Sequence, residues 1–232
     1  MRIFGSLAAA ACLALFSAER GAADGVVVEL YTSQGCSSCP PADALLSQLA
    51  ERDDVIALSL HVDYWDYLGW KDDLADPSYT ERQRAYARHA GSTMIYTPQM
   101  IVGGRDMIVG TKAMVLADHI QRHNAAPKPV GVEMSRKGDR FEIRAQALGA
   151  TPPEMKVQLV RYKRSETVEI QRGENAGKTI TYHNVVTSWE TIGGWDGAAP
   201  LALAAPAAGE APAVVIVQDG TSGPILAAAR LD

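Results

Sequence analysis

Two cysteines, Cys36 and Cys39, have the spacing and the surroundings for disulfide chemistry. They follow an apolar run over residues 26–31 and a polar turn, and they precede Pro40 and Pro41, which favour the first turn of a helix. The unpaired N–H groups and the positive dipole end at a helix N-terminus stabilise a thiolate. The pattern therefore predicts a redox-active pair. A structural disulfide is the alternative, but so short a ring removes little entropy from the unfolded chain.

The first 23 residues have the order of a secretory signal, with Arg2 near the start, an apolar run over 3–16 and small residues over 21–23. We expect this segment to be cleaved and the protein to be periplasmic or secreted. Cleavage would remove Cys12, so that Cys36 and Cys39 would be the remaining two of the three cysteines. A single closely spaced pair is not a disulfide framework, which favours reactive cysteines.

Composition is typical of a folded soluble protein, with 47% hydrophobic and 21% charged residues among 232. The formal net charge is −5, and cleavage of the signal would make it one unit more negative. This charge argues against nucleic acid as a partner. No later segment approaches about 20 uninterrupted apolar residues, so we expect no membrane span. Because no Gly-rich phosphate loop is present, we expect no cofactor besides the cysteine pair. No pattern in the sequence predicts an oligomeric state.

Residues 24–126 alternate between strand and helix patterns. In chain order we first predict a strand at 26–31, a helix with Pro40 and Pro41 in its first turn that runs to residue 52, and a strand at 55–62. An irregular aromatic stretch at 63–72 follows, and then a helix from Ser78 as N-cap to His89. The last elements are a hairpin at 96–110 and a helix at 111–124. This order predicts an α/β domain with a helical insertion.

Residues 130–232 change to period-two patterns separated by turns, after a Pro-containing linker at 125–129. The predicted strands cover 130–135, 141–147, 155–162, 179–189, 213–218 and 225–231. Short strands without helices predict a small antiparallel β domain with a sandwich-like arrangement. The Ala- and Pro-rich segment 197–212 is predicted to be an exposed connection.

The order of strand, Cys-x-x-Cys, helix, strand, insertion, helix, Thr97-Pro98, hairpin and helix resembles a thioredoxin fold with a helical insertion. This resemblance implies that Pro98 is a cis-proline against the cysteine pair, with the backbone before it free to pair with an extended substrate. At a finer level, residues 28–43, 61–65, 97–99 and 172–177 resemble the secreted bacterial family known as domain of unknown function 1223. That family implies a fold and a compartment but no established reaction.

Thiol–disulfide exchange with protein thiols or disulfides is the first hypothesis, which would make the protein an oxidoreductase. Cys36, nearer the exposed turn, would attack as a thiolate, and Cys39 would resolve the mixed disulfide. Glu29, in the strand that leads to the cysteines, is a candidate proton acceptor for Cys39, and a carboxylate bound to the backbone is the alternative.

Thr97, Tyr64 and Trp65 are candidate substrate contacts. Two roles are open for Trp65 and Trp70 in the aromatic stretch. They could form a wall that faces the substrate, or they could fill a core between inserted elements. The core interpretation is favoured, since buried aromatic residues are common.

Two other hypotheses remain. One is a protein that binds or delivers copper or zinc through Cys36, Cys39 and a histidine; the candidates are His61, His89, His119, His123 and His183. His119 and His123 are four residues apart, but a favourable interaction with the helix dipole explains them better. The other is a binding module with a vestigial redox site, whose face would comprise Tyr182, His183, Trp189 and Trp195. Core packing is the favoured explanation of these aromatic residues.

Overall fold

Two buried runs of β-branched and aliphatic residues form the centre of the molecule, whose computed structural model describes residues 23–207 and 209–231. They are strands β2, Val26–Thr32, and β3, Val55–His61, which pair in parallel. Every residue of both strands is buried, as expected where other elements cover both faces. The short strand β1, Ala23–Asp24, precedes β2. Except for Ala23, the predicted signal segment lies outside the described residues.

Two helices cover one face of this pair. Helix α1, Pro40–Ala50, begins with two prolines, at positions where a helix does not need their missing N–H groups. Helix α3, Ala113–Ala125, lies on the same face. Val28 and Leu30 of β2 pack with the apolar side chains of both helices in one buried cluster. Even-numbered residues of β2 therefore face α1, and odd-numbered residues face the other side.

The predicted hairpin is confirmed. Strand β4, Gln99–Val102, pairs antiparallel with β2, and strand β5, Asp106–Val109, pairs antiparallel with β4. Gly103 and Gly104 form the turn with φ values of 59° and 65°. A Cβ atom on Gly103 would lie 2.5 Å from the His123 ring, so the turn requires glycine there for space as well as for conformation.

The insertion between β3 and β4 contains a 3₁₀ turn, Asp66–Leu68, and helix α2, Pro77–His89. The N-cap of α2 is Asp76, whose side chain accepts a hydrogen bond from the Ser78 N–H at 2.8 Å. The prediction of Ser78 as N-cap was wrong because Pro77 occupies the first helical position, which moves the helix start to the preceding Asp.

The strands after residue 129 divide between two sheets. Strands β6 (Val130–Lys137), β7 (Arg140–Ala147) and β10 (Leu201–Pro206) form an antiparallel sheet in the order β10-β7-β6. Strands β8 (Met155–Glu169), β9 (Thr179–Trp195), β11 (Ala213–Asp219) and β12 (Ile225–Leu231) join the central sheet. Among the described residues this sheet has nine strands in the order β1-β12-β11-β8-β9-β3-β2-β4-β5. Ser59 of β3 pairs with Val185 of β9, so one sheet contains strands from both predicted domains.

The prediction that 197–212 is only an exposed connection was wrong, because this segment contains β10. Ala205 and Ala207 are buried in the core between the three-stranded sheet and strands β8, β11 and β12. Small alanine side chains allow this strand to pack closely while the sequence shows no strong strand pattern.

The other face of the central sheet packs against a second core, in which Tyr79 and Tyr86 of α2 are buried. The Ile225 N–H donates to the Gly103 carbonyl at 2.9 Å, which brings β12 to the β4–β5 turn. Across the described ranges the fold is mixed α/β, with three α-helices and two sheets. None of these helices is long and apolar enough to cross a membrane.

Candidate functional site

The two cysteines lie in the turn between β2 and α1. The Cys36 N–H donates to the Ser33 carbonyl at 3.1 Å, and the Cys39 N–H donates to the Cys36 carbonyl at 3.2 Å. Cys39 is the N-cap of α1, and the two cysteines form a disulfide with a Cα–Cα distance of 5.4 Å. This places the sulfur pair at the end of the helix where free N–H groups favour negative charge.

Both cysteines are buried in this disulfide form. Cys36 is 1% exposed and Cys39 is 0% exposed, whereas Ser37 and Ser38 between them are exposed. Cys36 is thus next to the exposed part of the turn, as expected, but the turn exposes its two serines and covers both cysteines.

The tip of the long β8–β9 hairpin reaches the cysteine turn. Asn175, which is 1% exposed, donates from Nδ2 to the carbonyls of Gln34 and Cys36, both at 2.9 Å. Lys178 Nζ donates to Asn175 Oδ1 at 2.8 Å. We call residues 170–178 the hairpin tip. Because Asn175 binds two carbonyls of the turn, the hairpin tip fixes the conformation of the chain around Cys36.

Sequence reasoning missed the role of Asn175, although residues 172–177 carried part of the family resemblance. The signal was an Asn between Gly173 and Gly177, which both adopt positive φ. Such a turn presents a side chain at a fixed angle, but the sequence did not show which distant segment it would meet.

Trp65 and Trp70 hold the cysteine turn from another side. The Trp65 Cβ lies 3.1 Å from the position that a Cβ on Gly35 would take, and the Trp70 Nε1–H donates to Gln34 Oε1 at 2.7 Å. Both indoles are half-buried. Trp65 also packs against the core that contains Tyr79 and Tyr86, as the core interpretation predicts, and both indoles in addition support the turn.

Thr97 and Pro98 lie beside the first turn of α1. The Trp65 Nε1–H donates to Thr97 Oγ1 at 2.7 Å, and the Thr97–Pro98 peptide bond is cis. The Cβ atoms of Pro98 and Ala42 both lie 3.1 Å from the position of a Cβ on Gly110, so Pro98 and α1 meet at this glycine. The structure thus brings Thr97, Pro98 and Trp65 into the surroundings of the cysteine turn.

Tyr64 lies at the edge of this group. Its hydroxyl donates to Gln83 Oε1 at 3.2 Å, and burial raises the pKa of Tyr64 to about 12, so the phenol stays protonated at neutral pH. The bond to Gln83 connects Tyr64 to α2 rather than to the sulfur atoms.

Glu29 is not brought to the cysteines. As an odd-numbered residue of β2 it points away from α1, into the core that contains α2. Its carboxylate accepts bonds from Arg82 Nε at 2.8 Å, from Tyr31 at 2.9 Å and from Tyr86 at 2.6 Å. The geometry therefore gives no support to Glu29 as the proton acceptor for Cys39.

A different carboxyl group, that of Asp43, is buried on the cysteine side of the sheet. Thr32 Oγ1 donates to Asp43 Oδ1 at 2.8 Å, while Asp43 Oδ2 is buried and has no hydrogen-bond partner among the described residues. Burial raises the pKa of Asp43 to about 7, although His61 and the Thr32 hydroxyl act in the opposite direction. The spacing of four residues between Cys39 and Asp43 could have indicated that the two side chains lie on one helix face, but the sequence analysis missed it.

His61 and Asp72 extend this polar region to the turn. His61 Nδ1 lies 2.7 Å from Asp72 Oδ2, and the same oxygen accepts the Gln34 N–H at 2.8 Å. His61 and Asp72 are 0% and 1% exposed, and the Tyr182 ring packs edge-on to the imidazole at 4.6 Å between centroids. A buried ionisable pair thus connects the end of β3 to the residue two positions before Cys36.

The model of a family described as protein of unknown function, DUF1223, matches residues 27–218. The chain belongs to this family. The matched range contains both the cysteine turn and the hairpin tip, and it confirms the family resemblance drawn from the sequence motifs. A search of curated proteins finds no match.

Two solved structures are similar to this DUF1223 protein. A crystal structure of a protein from Agrobacterium tumefaciens is 36% identical with a TM-score of 0.77, over 89% of this chain and 93% of the other. HBP35 of Porphyromonas gingivalis is 14% identical with a TM-score of 0.66, over 90% of this chain and 74% of the other. The second similarity concerns the fold alone.

Of the candidate histidines of this DUF1223 protein, His61 lies near the cysteine turn, whereas His119 and His123 lie elsewhere, beside Asp106. His119 Nδ1 and His123 Nε2 lie 3.3 Å and 2.6 Å from Asp106 Oδ2, where α3 packs beside β5. Over residues 23–207 and 209–231, no group of three or more His, Cys, Asp or Glu side chains has the geometry to hold a metal ion.

Three of the four residues of the hypothetical binding face, Tyr182, Trp189 and Trp195, pack in different parts of the molecule. Tyr182 is buried against His61, and Trp195 is buried in the core between the two sheets. Trp189 lies over the Arg82 guanidinium, 3.7 Å from its carbon to the ring centroid. Packing accounts for these aromatic residues, and the structure does not support the binding-face hypothesis.

Proposed function

We propose that the protein exchanges thiols and disulfides with protein partners through Cys36 and Cys39. The observation that carries this proposal is a Cys-x-x-Cys disulfide at the N-terminus of α1, at the carboxyl end of the buried strand β2. Such strand ends are where open α/β sheets place their sites. The ring closes only two intervening residues, so it adds little as a structural staple.

A thioredoxin-like arrangement around the pair belongs to the same proposal. The parallel strands β2 and β3, the antiparallel β4–β5 hairpin and helices α1 and α3 on one face support it. The position of Pro98, beside the first turn of α1, supports it further. Strands β8 and β9 would then be an addition that extends this unit and places the hairpin tip over the cysteine turn.

In the reduced form, Cys36 is the attacking cysteine and Cys39, the N-cap of α1, is the resolving one. The Cys36 thiolate attacks one sulfur of a partner disulfide, and the other partner sulfur leaves as a thiolate. The Cys39 thiolate then attacks Cys36 Sγ, which restores the Cys36–Cys39 disulfide and releases the first partner sulfur. Two electrons pass from the dithiol to the partner, and the reverse sequence oxidises a partner dithiol.

Access to Cys36 requires a movement of its cover, because the residue is 1% exposed in the disulfide form. We assign this movement to the hairpin tip, which contacts the cysteine turn through the two Asn175 hydrogen bonds and through the Glu174 carboxylate, which accepts the Ser37 N–H at 3.4 Å. The signal-like order of residues 1–23 supports export to the periplasm or beyond, where disulfides persist.

A model disulfide peptide tests the function. The reduced protein is mixed with the peptide, the reaction is stopped by acid, and the products are weighed by mass spectrometry. We expect wild type to reduce the peptide, Cys39→Ser to accumulate a mixed disulfide through Cys36, and Cys36→Ser to be inactive. A folded wild type that leaves the peptide intact, or a Cys36→Ser variant as active as wild type, would contradict the proposal.

A further inference from the structure

A buried carboxyl group lies one helical turn from Cys39. The Asp43 N–H donates to the Cys39 carbonyl at 3.1 Å, so the two residues have the i, i+4 spacing that places side chains on one helix face. Cys39 is 0% exposed and Asp43 is 6% exposed. The resolving sulfur and this carboxyl group therefore share the buried side of α1.

The pairing of Asp43 is incomplete. Its Oδ1 accepts the Thr32 hydroxyl at 2.8 Å, and its buried Oδ2 meets no hydrogen-bond donor within residues 23–207 and 209–231. A buried polar atom in this condition destabilises the folded protein, and native structures contain few of them. A carboxyl oxygen with no donor is free to bind a proton.

Ionisable groups face Asp43 from three other elements. They are His61 of β3, Asp72 of the insertion and Tyr182 of β9, while the neutral Thr32 hydroxyl faces it from β2. Burial raises the pKa of Asp43 to about 7; His61 and Thr32 lower it, and Asp72 raises it. The carboxyl group can therefore take up and release a proton near neutral pH.

We propose that Asp43 is the proton acceptor for the Cys39 thiol. This inference rests on the proposed exchange function and names the residue that completes its second step. In the mixed disulfide, the Cys39 proton passes to Asp43 Oδ2 and the Cys39 thiolate attacks Cys36 Sγ. The Cys36–Cys39 bond forms, the bond from Cys36 to the partner sulfur breaks, and the partner leaves as a thiolate. In the reverse direction Asp43 returns the proton to Cys39.

Oxidation of the reduced protein by glutathione disulfide separates the two steps. Samples taken between pH 5 and 9 are quenched with acid, and mass spectrometry follows the glutathione adduct and its closure to the Cys36–Cys39 disulfide. We expect the adduct to form at the wild-type rate in Asp43→Asn but to close at least about tenfold more slowly at pH 7. The exposed Asp118→Asn on α3 is the matched control and should behave as wild type.

The pH profile distinguishes proton transfer from a structural role. The wild-type closure rate should inflect near pH 7, where Asp43 titrates, and Asp43→Asn should lack this inflection. Thr32→Val removes the hydrogen bond that favours the charged carboxylate, so its inflection should move to higher pH.

Failure of this inference differs from failure of the proposed function. If Asp43→Asn closes the adduct as fast as wild type at every pH, or if Thr32→Val leaves the inflection unchanged, Asp43 is not the acceptor and exchange still stands. If folded wild type forms no glutathione adduct, the exchange function fails and this inference fails with it.

Discussion

Glu29 and Asp43 both have buried carboxyl groups, which lie on opposite sides of strand β2. They differ in how many hydrogen bonds they accept. Glu29 accepts bonds from Arg82, Tyr31 and Tyr86, one of which is a cation. Asp43 accepts a bond from one hydroxyl, and its other carboxyl oxygen has no partner in the part of the chain that the structure describes. The better-paired carboxylate is the one that lies away from the cysteines.

The Glu29 site joins elements that are distant in sequence. Arg82 comes from α2, contacts Gln218 of β11 at 3.3 Å and lies against the Trp189 ring of β9. Although burial opposes its charge, the Glu29 carboxylate keeps the pKa of Arg82 above its ordinary value. A network with this many partners stabilises one arrangement of the insertion on the sheet. A carboxyl group with few partners, by contrast, can change its protonation during a reaction.

Arg82→Met should have the largest effect on stability. It leaves the Glu29 carboxylate buried without its cation, and breaking a buried pair in this way costs about 3–5 kcal/mol. Urea unfolding at pH 7, followed by tryptophan fluorescence, measures the loss. The control is Arg84→Met, whose exposed ion pair with Glu81 should contribute less than about 1 kcal/mol. Equal losses in the two variants would contradict the distinction between the two sites.

Asp43 should make stability depend on pH in the opposite sense to a salt-bridged carboxylate. Its pKa is about 7 in the folded protein against an ordinary value of 3.8, so between these values the folded state binds more protons than the unfolded state. Stability should therefore fall as pH rises through this window, by on the order of 4 kcal/mol for this group. Asp43→Asn should gain stability relative to wild type between pH 4 and 7. A constant difference between the two proteins across this range would show that Asp43 titrates normally.

Asn175→Ala should release the hairpin tip from the cysteine turn. Two buried carbonyls lose their donor, which should cost about 1–3 kcal/mol and make the disulfide react faster with dithiothreitol. Gln171→Ala, at an exposed position of the same tip, is the control. Reduction of both variants at the wild-type rate would mean that Asn175 does not control access to Cys36.

The smallest effect on stability is expected from loss of the hydrogen bond between Trp65 and Thr97. A double-mutant cycle of Trp65→Phe and Thr97→Val should give a coupling energy of about 0.5–1.5 kcal/mol, because a single half-buried hydrogen bond is lost. Thermal unfolding of the four proteins measures it. Independent effects of the two substitutions would show that this bond does not contribute to the support of the cysteine turn.

Local patterns in the sequence predicted the elements around the cysteines. The buried strand 26–31, the two prolines that begin α1 and the Gly103–Gly104 turn each depend on a few neighbouring residues, so their types and periodicity were sufficient. The alternation of side chains between the two faces of β2 could also be predicted from the sequence. Val28 and Leu30 face α1, and this alternation places Glu29 on the other face and Thr32 on the side of Asp43.

Contacts between distant segments were not predictable in the same way. Asn175 binds the Gln34 carbonyl across 141 residues, and its position depends on the length and register of strands β8 and β9. Two register shifts interrupt that pairing, at Val157/Gln158 and at Arg161/Tyr162. Because no local pattern encodes such a register, the cover over Cys36 emerged only from the folded chain.

The reduction potential of the Cys36–Cys39 pair tests the central claim most directly. The protein is equilibrated in glutathione buffers of known ratio, free thiols are alkylated, and the products are counted by mass. Because the N-terminus of α1 stabilises a thiolate and hence the reduced form, we predict a labile pair with a potential above about −230 mV. A potential below about −300 mV, with thiols that resist alkylation in the folded reduced protein, would contradict the claim and identify a structural disulfide.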